Sequence, residues 1–127
     1  MIPASYDLQL YRGDTGRWQF KLWTDDAKTI AADLTGVTVA AMIRDKAVGG
    51  VYSLPLACVV TLPNIIDMDL TPVQSRDLPA KGVWDLQLTY TSGDIVTVLK
   101  GNVTLTQDVT YPDAMARKGK PLAVVVR

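Results

Sequence analysis

Apolar and polar residues alternate with a period of two through much of this chain, most cleanly between Gly82 and Thr110. Trp84, Leu86, Leu88 and Tyr90 alternate with Asp85, Gln87 and Thr89, which puts one set on a buried face and the other toward water. Ser92-Gly93-Asp94 supplies turn chemistry, because glycine tolerates backbone angles that a Cβ penalises. Ile95 to Leu99 is strand-forming, with apolar residues on both faces. After a break at Gly101, Val103 and Leu105 alternate with Asn102, Thr104 and Thr106, so the stretch reads as three strands in a meander. Its single apolar face requires a covering layer, most simply a second sheet.

The remaining segments supply that layer. Tyr6 to Leu10 reads as a short first strand, and Arg12-Gly13-Asp14-Thr15-Gly16 as a turn. Trp18, Phe20 and Leu22 alternate with Arg17, Gln19 and Lys21 in a second half-buried strand. Thr24 to Ala32 is a connection, and Asp33-Leu34-Thr35-Gly36 leads into a strand in which Val37, Val39, Ala41 and Ile43 share a face. The apolar run Leu56 to Leu62 is too short and too β-branched for a helix. It forms a hairpin through Pro63-Asn64 with the alternating Ile66, Met68 and Leu70. Thr71-Pro72 is a helix start: threonine caps an exposed N–H, and proline fits the first helical position. Pro79 limits that helix to one or two turns. The fold expected is an all-β sandwich of two antiparallel sheets with one short helical link, spanning residues 1–111, and a C-terminal arm at 112–127.

Composition agrees. All thirteen acidic residues are aspartate, which favours turns and caps over helices. The 127 residues suit one domain with an ordinary core. Net charge is zero, which gives no reason to expect a nucleic-acid partner. No apolar run is long enough to span a bilayer, and Met1-Ile2-Pro3 does not open a secretory signal, so no membrane partner is expected. Charge is nonetheless uneven, at +3 beyond Tyr111 and −3 before it. Leu122 to Val126 is strongly strand-forming. Three fates are open to it: pairing with its own domain, pairing with a neighbour, or remaining free.

The reactive inventory is nearly empty. Without histidine, Ser-His-Asp and Cys-His arrangements and histidine metal sites are excluded. Cys58, the single cysteine, lies in an apolar run and reads as a small core residue. No phosphate-binding loop or dinucleotide fingerprint occurs. Asp67 and Asp69 share a strand face and are the candidates for an aspartate-dependent hydrolase, set against an ordinary wet face. Asp25-Asp26 lacks the ligand spacing of a calcium loop. Arg12-Gly13-Asp14 matches an adhesion tripeptide by type alone. Trp18 and Trp84 fall on inward faces, whereas Trp23 is balanced between a strand-end contact and an interface anchor. The expected protein is no enzyme and has no cofactor or metal. Its interface candidates are Trp23, Leu122, Val124, Val125 and Val126.

Taken in order, these segments resemble a known family. They are Arg12-Gly13-Asp14-Thr15, Asp33-Leu34-Thr35-Gly36 with Val37 to Arg44, Leu70-Thr71-Pro72 with Leu78, Gly82 to Thr89, Val96 to Gly101, and Asp108-Val109-Thr110. Together they resemble the immunoglobulin-like N-terminal domain of phage baseplate upper proteins and related small tail or virion proteins. The resemblance covers about residues 6–110. It implies an immunoglobulin-like β-sandwich acting as a non-catalytic docking module in the virion tail or baseplate, made in the host bacterial cytoplasm. Its partners would be other virion proteins and copies of itself. The long coiled-coil or receptor-facing region of a baseplate upper protein has no counterpart here, which brings in a separate tail component or a capsid decoration protein. A host-surface carbohydrate- or protein-binding domain is the competing class; it calls for an exposed groove carrying Trp23 or loop aromatics.

Overall fold

A computed structural model describes residues 3–46, 48–106 and 122–125. In chain order the elements are β1 (Ala4–Ser5), β2 (Leu8–Tyr11), β3 (Gly16–Trp23), β4 (Thr38–Arg44), β5 (Ser53–Thr61), β6 (Ile65–Leu70), α1 (Pro72–Arg76), β7 (Lys81–Thr89), β8 (Ile95–Thr106) and β9 (Leu122–Val125). The fold is all-β with one short helix, as the alternation and the aspartate-rich turns require.

The strands form one continuous nine-stranded sheet, ordered β1-β8-β7-β4-β5-β6-β3-β9 with β2 also on β8, folded over into a nearly closed barrel. Two separate sheets were the expectation; β5 joins them. Its first half pairs with β4, from Ser53 opposite Arg44 to Leu56 opposite Ala41. Its second half leaves β4 and pairs with β6, from Ala57 opposite Asp69 to Thr61 opposite Ile65. The hairpin of β5 with β6 lies where the apolar run and Pro63-Asn64 put it. The interior pairings are antiparallel, but the edges are not: β1 and β2 run parallel to β8, and β9 runs parallel to β3.

The core lies between the folded halves. Phe20, Leu22, Ile66, Met68 and Leu70 face Ala41, Ile43, Trp84, Leu86, Leu88, Val103 and Leu105 across it. Phe20 stacks on Trp84 with ring centroids 6.2 Å apart and meets the edge of Tyr6 at 6.1 Å. Trp18 is half-buried rather than interior; it packs on the core while its ring tip covers Gly16. Leu34 and Leu78, both from connections, are also buried. The helix starts at Thr71, whose hydroxyl accepts from the Gln74 N–H at 3.1 Å while the Gln74 side chain accepts from the Thr71 N–H at 2.9 Å. This reciprocal capping box extends the Thr-Pro signal.

The expected break at Gly101 is absent: β8 runs through it for 12 residues. A β-bulge at Val98 lets both Val98 and Leu99 reach the core, which explains the apolar residues on both faces of Ile95 to Leu99. Gly101 serves a close approach instead. A Cβ there would collide with the carbonyl oxygen of Tyr6, which sits between β1 and β2. That same oxygen accepts the Trp84 indole N–H at 2.7 Å.

Two outcomes follow from this packing. Gly101→Ala pushes the N-terminal strands off β8 and is expected to cost about 3 kcal/mol, the upper part of the range for overpacking; urea unfolding followed by tryptophan fluorescence measures it. Val124, 2% exposed on β9, is a core residue. Val124→Ala should therefore cost about 2 kcal/mol of transfer and cavity energy, with an unfolding midpoint that, in protein diluted well below the micromolar range, does not depend on concentration. A concentration-dependent midpoint at that dilution would instead place β9 on a neighbour.

Candidate functional site

The alternation that buries one face of β4, β7 and β8 presents the other as a broad wall, and the register aligns its residues into rungs. Met42 lies opposite Pro55 on one side and Asp85 on the other; Asp85 lies opposite Lys100, and Lys100 opposite Ser5. One rung along, Arg44 lies opposite Val83 and Val83 opposite Asn102. On the other side, Ala40 lies opposite Gln87 and Gln87 opposite Thr97. Asp7 completes the Arg44 rung, its carboxylate accepting the Asn102 N–H at 2.9 Å. Sheet twist makes such a face a saddle, and these residues, Thr97 apart, line a hollow of about 770 Å³.

The lining mixes apolar residues, among them Ala40, Met42, Pro55 and Val83, with charges of both signs. Arg44 and Lys100 are exposed, while Asp85 is half-buried between them. Burial pushes the Asp85 carboxyl above its usual range, and the nearby Arg44 guanidinium pulls it part of the way back. Gln87 donates to the Thr97 hydroxyl at 3.4 Å. Trp84 lines the hollow from beneath at 3% exposure, so its ring gives no stacking platform. The surface offers donors, acceptors and neighbouring opposite charges.

The residues singled out in the sequence lie elsewhere. Trp23 ends β3, half-buried, opposite Val125 of β9 and bridged to Ala31. Its indole N–H is enclosed and has no hydrogen-bond partner among the described residues. The C-terminal stretch pairs with its own chain: Leu122 stands opposite Phe20 and Val124 opposite Leu22. Val124 is thereby corrected from an interface anchor to a core residue, since a parallel register with β3 turns it inward beside Leu22. Val125 is half-buried, and Val126 lies outside the described residues, as does 107–121.

The short motifs prove to be braces. The Arg12 guanidinium donates to the carbonyls of Arg76, at 2.5 Å, and Leu78, at 3.2 Å, at the C-terminal end of α1. The Gly13 N–H donates to the Ser75 hydroxyl at 2.8 Å, and Asp14 is buried at 4% exposure. A tripeptide held in this way is not presented to a receptor. Asp25 accepts the N–H groups of Thr29 and Ile30 at 3.0 and 2.9 Å, and the Thr29 hydroxyl. These bonds, the Thr29 hydroxyl first, hold its carboxyl below the usual range. Asp67 accepts from the Gln19 amide at 2.9 Å, while Asp69 is exposed opposite Arg17, on the half of the sheet away from the hollow. Cys58 is half-buried and packs against the core; burial, and then the charge of Asp69, push its thiol up to about 11. It is therefore protonated at neutral pH. Among the described residues no three His, Cys, Asp or Glu side chains cluster as a metal site, and no helix is long and apolar enough to cross a membrane.

The hollow was not foreseen, because outward Asp85, Gln87, Lys100 and Asn102 read singly as a wet face. Only the register brings them into rungs. No protein-family model matches the chain, and no curated protein matches it significantly.

Asp85 yields a pH-dependent outcome. Its carboxyl is raised in the folded state, so the folded protein holds that proton more tightly than the unfolded chain does. The contribution is favourable at low pH and is lost as pH rises through the raised value. Asp85→Asn is thus expected to be more stable than the parent at pH 7, with the gain shrinking to nothing below the ordinary carboxylate value. Denaturant midpoints of dilute protein between pH 3 and pH 8 follow it.

Proposed function

We propose that this chain is a non-catalytic structural protein of a tailed-phage virion, a docking module of the tail or baseplate built on an immunoglobulin-like β-sandwich. The strand arrangement supports the architecture. In the lettering of that fold, β3-β6-β5 occupy the places of strands B, E and D, and β4-β7-β8 those of C, F and G. β5 switches between the halves, and β9 lies on the edge beside β3, parallel to it where that fold has an antiparallel strand A. With that correspondence, the segments between Arg12 and Gly101 that carry the resemblance have a common framework.

The observation that carries the functional part is the hollowed face of β4, β7 and β8, with its neighbours β1 and β5. It is broad and mixes apolar residues with charges of both signs, the character of a non-obligate protein interface. The carbohydrate-binding alternative calls for an exposed aromatic platform, and this face has none: Trp84 is turned to the core and Trp23 lies on the other half of the sheet. In a virion, symmetry repeats a modest contact many times, so a small face of this kind holds firmly by avidity.

The test is to purify tailed particles from the source that encodes the chain and probe them with antibody to the protein. The expected result is co-sedimentation in several copies per particle, with immunogold label at the tail end. Label on the capsid would move the protein to a decoration role. Protein found only in the particle-free fraction would overturn the virion reading.

A further inference from the structure

We infer that the hollowed face is a self-association surface, on which a second copy of this chain docks about a two-fold axis running parallel to the strands between β7 and β8. The inference rests on the order of charges across the rungs and does not depend on the virion reading.

Reading from β4 toward β1, the first rung is Arg44, Val83, Asn102 and Asp7, positive at one end and negative at the other. The second is Met42, Asp85, Lys100 and Ser5, with the negative and positive charges side by side in the middle. The third, Ala40, Gln87 and Thr97, is uncharged. Each charged rung is therefore antisymmetric about the seam between β7 and β8. A two-fold axis along that seam keeps every rung at its own level and reverses its order. Asp85 then meets the second copy's Lys100, and Arg44 meets the second copy's Asp7. Gln87 meets the second copy's Thr97, amide against hydroxyl. Moving the axis onto β7 would set Asp85 against its own equivalent, so the charges choose the seam.

Shape agrees with charge. A uniformly twisted sheet is a saddle, and rotation by half a turn about a line along its strands carries that saddle onto itself. The two faces thus stay in step along their length. Strands about 4.8 Å apart and rungs about 6.8 Å apart give a patch on the order of 20 Å square. Together the two copies would bury on the order of 1,000 Å², the low end for a specific interface. A reversible dimer with a micromolar dissociation constant is the matching expectation.

The experiment is sedimentation equilibrium of the full chain from low micromolar to near-millimolar concentration. The wild type should move from 13.8 kDa toward twice that mass. Lys100→Asp and Asp85→Lys each set like charges together twice per dimer, and each should weaken association on the order of 100-fold. Mixed in equal amounts, the two variants regain opposite charges at both contacts and should associate again. Circular dichroism checks that each is folded. If the half-buried Asp85→Lys variant is not, Arg44→Asp paired with Asp7→Arg replaces the set. A wild type that stays monomeric overturns the inference and leaves the face to a different partner. Variants that associate like the wild type, or a mixture that stays monomeric, overturn it equally.

Discussion

The fold depends on the absence of one side chain. At Gly101 the Tyr6 carbonyl occupies the space that a Cβ would need, and the buried Trp84 indole donates its N–H to that oxygen. Leaving such a donor unpaired in the interior costs about 1–3 kcal/mol. Satisfying it with a backbone oxygen therefore ties the first strands to the aromatic centre as well as to the edge of β8. Phe20, stacked on Trp84 and touching the edge of Tyr6, carries that tie to the opposite half. One glycine thus connects an outer strand, the core and both layers.

The second constraint is β5, which belongs to both halves of the sheet. A strand that changes partners midway folds the sheet without a loop. The two edges created by that fold are covered by strands running parallel to their neighbours, β1 and β2 on β8 and β9 on β3. Each covering strand carries the row of unpaired backbone groups on its own outer side, and at two to four residues it leaves little for another chain to pair with. Association by this protein is accordingly better served by a face than by an open edge of β3 or β8.

Most of the elements were legible, and for a clear reason. Alternation such as Trp18-Phe20-Leu22 or Ile66-Met68-Leu70 reports local geometry, and the Thr71-Pro72 start reports a cap made within four residues. What stayed hidden depended on contacts far apart in sequence. Gly101 looked like a break because its crowding partner, Tyr6, is remote. The bracing role of Arg12-Gly13-Asp14 stayed hidden behind its turn chemistry because Ser75, Arg76 and Leu78, which hold it, lie beyond local pattern. The bulge at Val98 made an apolar stretch seem to have two buried faces. The hollow was invisible for the same reason: a residue type shows that a position is wet, but only register shows which wet positions stand together.

The hollowed face also carries a local penalty that the rest of the surface does not. Asp85 is a half-buried carboxylate whose desolvation outweighs the pull of Arg44. A threonine or glutamine on the same outward position would satisfy strand alternation without that penalty, as Thr89 and Gln87 do along the same strand. A group kept in an unfavourable setting is a common mark of a working surface. In the proposed dimer the second copy's ammonium group would approach it across the interface and offset part of its desolvation. With zero net charge on the chain, no long-range field draws the copies together. Recognition would then be a matter of short-range order, and the alternation of sign along two rungs is the form that such order takes on a twisted sheet face.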